Sequence, residues 1–479
     1  MVIPETMKLT FSSRMRWLLL LSFPVAAASA LSAGSGSEPV LYLLLAMGAC
    51  AYLLNRLDSV RAETAAVWLV LSVFIVFYFL RYPYLMFDPT PVIATHPDSI
   101  STFFRNNGDG LGEALAFSAL AFCSFCLTAG ALLGRLNAAQ NWTDDMPREA
   151  ITRMASALMI VIPLLMLVLG YVTYVHHIGQ MGVPTGEPLP FRLKGIVFYG
   201  RTVVLPLMIL ALINFGTKLD SRPLALLGVS LLVVHGVSDM MLRGSRSSLL
   251  LCLLLALFLI VGRGFKVRRM GLVIMAALVL AAIWLMPIVL QYRMLRMHSD
   301  AGLWGLMQQA FAASHDDALA LLKHALLNVY YRIPGIETAW AIINVDGKPL
   351  GSALWTTVRS PFGMTGYLNF TLYHVPAEEN TLYAPGFIGW LYLAGGHVLL
   401  LLGPALLAWV CVRVPCWVFT SGSPNAPIVN AFLLWILFLT LTDGTPDANV
   451  LLITSGLVAL AGWELIGKWV RRRQPQVRR

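Results

Sequence analysis

Apolar runs of about 16 to 25 residues recur along the chain, separated by short polar stretches. Neither the two-residue alternation of a half-buried strand nor the one-sided stripe of a soluble helix produces such a pattern. A helix crossing the hydrocarbon needs about 20 apolar residues. On that basis the runs predict about twelve spans, near residues 17–33, 38–54, 66–86, 111–133, 153–174, 199–215, 223–238, 247–262, 270–290, 386–410, 427–441 and 448–466. In lipid the backbone must satisfy its own hydrogen bonds, so runs of this kind are helices rather than the alternating strands of a barrel. The first of them, WLLLLSFPVAAASALSAG, follows basic residues and ends in small ones, and is read as a retained anchor rather than a cleaved leader. Along the chain the pattern divides into a bundle over 1–290, one large polar loop over 291–385, and C-terminal helices with a basic tail over 386–479.

Composition agrees: 58% of residues are hydrophobic and only 12% charged, more apolar surface than a soluble chain of 479 residues buries. The net charge of +10 is mainly a topology signal. With the N-terminus inside, most of the 34 lysines and arginines fall on the cytoplasmic side, among them Lys8, Arg14, Arg16, the cluster Arg263, Lys266, Arg268, Arg269, and the Arg471–Arg473 tail. Both termini are therefore expected in the cytoplasm. The fold class expected is all-α, a polytopic transmembrane bundle with one large periplasmic loop containing short interfacial helices. No aromatic-basic patch points to nucleic acid. The six cysteines lie in or beside apolar runs, which argues against a disulfide framework, and Cys123 and Cys126 lack the second pair of ligands that a metal site requires.

Orientation turns some arginines into a question. In DMMLRGSRSSLL (239–250), Arg243 and Arg246 stand at the outer mouth of an apolar run, where the charge rule disfavours them. Ser245 is a suitable N-cap, and free helix N–H groups beside two guanidiniums suit a phosphate. The competing reading has the arginines snorkelling to headgroups, with Asp239 paired to Arg243 at i,i+4. A second outer stretch, 176–201, adds Arg192, Lys194 and Arg201. Two such clusters have the charge for two diphosphates. In the large loop, DDALALLKHALLNVYYRIPG (316–335) is apolar on one face and stops at Pro334-Gly335, the pattern of an interfacial helix too short to span. The loop histidines 298, 315, 324 and 374 lack zinc-ligand spacing.

After the loop comes Ala384-Pro385-Gly386-Phe387-Ile388-Gly389-x-Leu391-Tyr392-Leu393-x-x-Gly396, which resembles the start of the helix after the large outer loop in Wzy-type O-antigen and capsule polymerases. GSRSSLL (244–250) is similar to a segment that opens an earlier span in the same family. The resemblance implies a metal-independent membrane glycosyltransferase of the GT-C type, without cofactor, in the bacterial inner membrane and with its active site facing the periplasm. Its implied partners are undecaprenyl-diphosphate-linked oligosaccharides, membrane lipids and a chain-length-determinant protein. Within that reading Arg192, Arg201, Arg243, Arg246 and Arg332 are candidate diphosphate ligands. His374, Glu378, Glu379 and Asp239 are candidate bases for the acceptor hydroxyl, with His298 behind them. Two alternatives share the architecture. In an O-antigen ligase the loop motif pairs His with Asn before a Gly-x-x-Gly, whereas here Val375 follows His374 and Gly386-x-x-Gly389 comes one residue late. A lipid-linked oligosaccharide flippase or other transporter typically has two similar halves and a long central cytoplasmic connection, neither of which is evident in this sequence.

Overall fold

A computed structural model describes residues 5–57, 62–87, 110–134, 147–179, 193–243, 248–262, 269–298, 303–313, 333–343, 385–420, 425–442, 452–462 and a few isolated positions. All regular structure among the described residues is helical. Eight helices are long and apolar enough to cross a membrane. They are α1 (Glu5–Ser32), α2 (Ser37–Leu54), α3 (Ala65–Phe87), α4 (Gly110–Leu133), α5 (Arg148–Val175), α6 (Leu193–Lys218) and α7 (Arg222–Arg243), followed much later by α12 (Gly386–Thr420). Between and after them come α8 (Ser248–Gly262), α9 (Arg269–His298), α10 (Leu303–Ala313), α11 (Ile336–Ile343), α13 (Ala426–Thr442) and α14 (Leu452–Gly462). The shorter apolar stretches of α8, α9, α13 and α14 fall within or overlap the four remaining expected spans, but at 10–17 residues they are not among the helices long enough to cross a membrane.

The helices gather into two compact units that cut across the expected three-part division. One unit is Met1–Trp142, Tyr330–Ser421 and Ile436–Val450; the other is Thr143–Val329, Gly422–Trp435 and Leu451–Arg479. The core of the first is aromatic. Phe23 of α1, Phe74 and Phe79 of α3 and Phe122 of α4 pack with ring centroids 5.1–6.1 Å apart, mostly tilted or edge-to-face as ring quadrupoles prefer. Part of the large loop returns into this unit. All eight residues of α11 are buried, and it packs on α3, α4 and α12. The loop therefore contains a helix inserted in the bundle, which the expectation of purely interfacial loop helices did not include. Most of the interfacial helix expected over 316–335 lies outside the described residues.

Helix α12 packs along α4 in parallel: Phe117 meets Tyr392 and His397, and Ser124 Oγ donates to the Leu401 carbonyl at 2.6 Å. Two parallel spans require an odd number of crossings between them, and five expected spans lie between α4 and α12. At the start of α12, Gly386 has φ +67°, a conformation that costs glycine nothing, and an added Cβ there would stand 3.0 Å from Thr338 Oγ1 of α11.

In the second unit, α6 packs on α5 and α7, and α7 on α8. Helix α9 runs to His298, two turns past the expected end of its span, and α10 folds back on that extension through Ile288, Tyr292, Leu306 and Ala310. Helix α7 likewise continues to Arg243 instead of stopping at residue 238. The physical reason is local: Asp239 and Arg243 pair one turn apart, and a cation in the last turn complements the helix dipole.

Candidate functional site

Pro206 in the middle of α6 has no N–H, so the ladder of helix hydrogen bonds is interrupted one turn earlier. The chain answers with a π-helical turn over Gly200–Val204, the kind of local widening that is frequent at functional sites. Arg201 sits in this turn. In π register its carbonyl would have bonded the missing N–H of Pro206; instead His235 of α7 approaches it, with Nε2 at 3.1 Å. A carbonyl only accepts, so Nε2 carries the proton in this contact.

The Arg201 side chain is buried among α5, α6 and α7. Its Nε donates to Asp239 Oδ1 at 2.6 Å and its Nη2 to Ser238 Oγ at 3.1 Å. Arg243 Nη1 donates to Asp239 Oδ2 at 2.9 Å, and its guanidinium lies over the Phe198 ring, 4.6 Å from the centroid. Ser248, the first residue of α8, adds a hydroxyl to Asp239. Helices α6, α7 and α8 thus converge on one carboxylate. Two guanidiniums share it, and Arg201 Nη1 is buried with no acceptor among the described residues. Among the described residues the cluster holds one positive charge more than it neutralises, in a place where an uncompensated charge costs several kcal/mol. An anion would complete it.

The first unit contains a buried ion pair with the opposite balance. A π-helical turn, Ile75–Phe79, precedes Arg81, whose Nη1 donates to Glu337 Oε1 at 2.5 Å and to the Ile333 carbonyl at 2.7 Å, while Nη2 donates to the Tyr330 carbonyl. The guanidinium is flanked by the rings of Phe77 and Tyr330, 5.3 and 4.4 Å from their centroids. Gly335 N–H also donates to Glu337 Oε1, at 3.1 Å. Both partners are wholly inaccessible and their charges cancel. This pair is a strut that ties α11 to the end of α3; it leaves no charge for a ligand.

No family model, curated protein or solved structure matches the chain. The chemistry of the site therefore rests on its own geometry.

Of the residues singled out from the sequence, the structure brings together Arg201, Asp239 and Arg243. Arg243 belongs to the last turn of α7, not to the start of α8, and the i,i+4 pairing weighed against a phosphate site is present. Both Asp239 oxygens accept from guanidiniums, an arrangement suited to positioning cations rather than taking a proton. Arg192, Ser245, Arg246, Arg332, His374, Glu378 and Glu379 lie outside the described residues, as does the side chain of His298. Sequence reasoning passed over His235, Ser238 and Ser248, although 235, 239 and 243 form a polar stripe at helical spacing. It also passed over Arg81 and Glu337, although Arg81 is an outer-side arginine by the same charge rule that singled out Arg243. All six cysteines are free, and among the described residues no group of His, Cys, Asp or Glu is placed to hold a metal ion.

Proposed function

We propose that this protein polymerises lipid-linked oligosaccharide repeat units at the periplasmic face of the bacterial inner membrane. The growing glycan moves from undecaprenyl diphosphate to the sugar end of an incoming undecaprenyl-diphosphate-linked repeat unit. The observation that carries the reading is the cationic surplus at the buried Arg201, in the first half of α6, and the partly buried Arg243, at the end of α7, both of which the charge pattern assigns to the outer side. In the reaction an acceptor hydroxyl attacks the anomeric carbon, its proton passes to a base from the loop (His374, Glu378 or Glu379), and the bond to diphosphate breaks with both electrons leaving on the phosphate oxygen. That leaving group is already a stable anion. Catalysis then depends on fixed cations that meet the developing charge without reorganising, the role proposed for Arg201 and Arg243 with Arg192, Arg246 and Arg332. The chemistry is metal-independent and of the GT-C type, and a chain-length-determinant protein is the expected partner.

Deleting the gene in its host and resolving surface glycan on gels tests the reading. Glycan limited to a single repeat supports a polymerase. Intact lipid-linked polymer that is absent from lipid A indicates a ligase, and repeat units retained at the cytoplasmic face indicate a flippase; either result overturns the proposal. The orientation carries its own expected outcome. A cysteine at position 348 reacts with a membrane-impermeant reagent added outside, and a reporter at Arg479 reads as cytoplasmic. Labelling of position 348 only after permeabilisation removes the argument from external arginines.

A further inference from the structure

Helix α12 carries a feature that the proposed chemistry does not use. Its helical dihedrals break at Gly395 (φ −168°, ψ 24°) and Gly396 (φ 57°, ψ −146°), the second a left-handed position that glycine takes without strain. The break leaves a short piece, residues 386–394, and a long one, residues 397–420. At about 1.5 Å per residue the long piece measures ~36 Å and crosses the hydrocarbon unaided. Its first residue is His397, which places the imidazole at the boundary of the span rather than in its middle.

His397 is exposed and does not stand alone. Its ring meets Phe117 of α4 edge-on at 5.0 Å and Tyr392 at 5.8 Å, and Phe117 and Tyr392 stack on each other at 5.3 Å. One turn before Phe117, in the first turn of α4, the exposed Glu113 acts electrostatically on Tyr392. An imidazole and two half-buried rings therefore meet where α12 breaks, and the exposed Glu113 stands one turn before Phe117 on the same helix. Ring faces, a carboxylate and an imidazole are complementary to one kind of molecule in particular. A pyranose presents C–H bonds on its faces, which lie against the electron-rich face of an aromatic ring, and hydroxyls on its rim, which donate to carboxylates and exchange hydrogen bonds with imidazole. His397 has no hydrogen-bond partner among the described residues, so its ring nitrogens are available to such a rim.

We infer that Glu113, Phe117, Tyr392 and His397 form a saccharide-binding platform on the first unit. Under the proposed function, on which this assignment of the ligand rests, it holds a sugar of the repeat unit near the membrane boundary. A pure membrane anchor would use the same aromatic residues at the headgroup level without selecting a sugar, and this difference decides the test.

The test uses purified full-length protein in nanodiscs and saturation-transfer NMR, with lipid-free oligosaccharide released from the host's surface glycan by mild acid as the probe. Transfer to the oligosaccharide is expected with wild type, with the dissociation constant raised about tenfold or more by Phe117→Ala and by His397→Ala. His397→Gln, which keeps a donor and an acceptor, retains most of the binding and guards against a folding artefact. Wild type without transfer overturns the proposal. So do variants that bind as wild type does while melting at a lower temperature, the signature of an anchor. The gene deletion reads the polymerase proposal separately: a normal glycan ladder in the deletion strain, together with saccharide binding that Phe117→Ala abolishes, would leave the platform standing and remove the polymerase.

Discussion

Under the proposed polymerase function, Arg201→Ala is expected to leave a folded, normally inserted protein that makes almost no polymer. Removing Arg201 takes away one of two cations facing Asp239, so a neutral Asp239–Arg243 pair remains and the bundle loses little. The loss falls on charge stabilisation in the transition state, where deleting one fixed donor costs roughly a hundredfold or more in rate. Arg201→Lys is expected to recover only part, because an ammonium cannot reach Asp239 and Ser238 together as the planar fork does. Asp239→Asn should behave differently. It leaves the buried Arg201 and the partly buried Arg243 guanidiniums without a counter-charge and is expected to lower the amount of protein before it lowers activity. The measurement is glycan chain length on gels, normalised to protein by immunoblot. Wild-type ladders from well-expressed Arg201→Ala would show that the cluster only holds helices together.

The second large effect belongs to the strut. Glu337→Ala strands a wholly buried guanidinium, and breaking such a pair from one side costs about 3–5 kcal/mol. Arg81→Met alone strands the carboxylate with a similar cost. The double variant Arg81→Met/Glu337→Leu replaces both charges with apolar groups and is expected to recover much of the loss, because well-packed apolar side chains often match a buried ion pair. Thermal unfolding of the purified protein in detergent checks the order: both single variants well below wild type, the double variant above either. If the double variant unfolds with the singles, the stabilisation comes from the contacts of Arg81 with the Tyr330 and Ile333 carbonyls and the flanking rings rather than from charge pairing.

Much of the helical architecture was legible because apolar length is a local property: each expected span overlaps an apolar helix, eight of them long enough to cross a membrane. The Asp239–Arg243 pair was legible for the same reason, since a separation of four residues fixes proximity once a helix is assumed. What escaped depends on pairing between distant segments. Arg81 and Glu337 are 256 residues apart, and Glu337 reads as an ordinary loop acid until α11 is found inside the bundle. Arg201 was visible as an outer arginine, but its burial follows from the π-helical turn before Pro206 and from the approach of α7. The break in α12 was masked because Gly395 and Gly396 sit within an apolar run that hydropathy reads as continuous. In the motif quoted for the resemblance, Gly386 and Gly396 have left-handed backbone.

The interleaving of the first unit has a consequence for how the protein is made. Met1–Trp142 leave the ribosome early, but Tyr330–Ser421, which complete the same unit, follow only after nearly two hundred further residues, on the order of ten to forty seconds at ~5–20 residues per second. Throughout that interval Arg81 is already in the chain while its carboxylate has yet to be synthesised. The early helices must wait as an unfinished half. A chain cut short before residue 337 therefore keeps Arg81 without the carboxylate that neutralises it, so truncated copies lack the contact that joins the early and late segments of this unit.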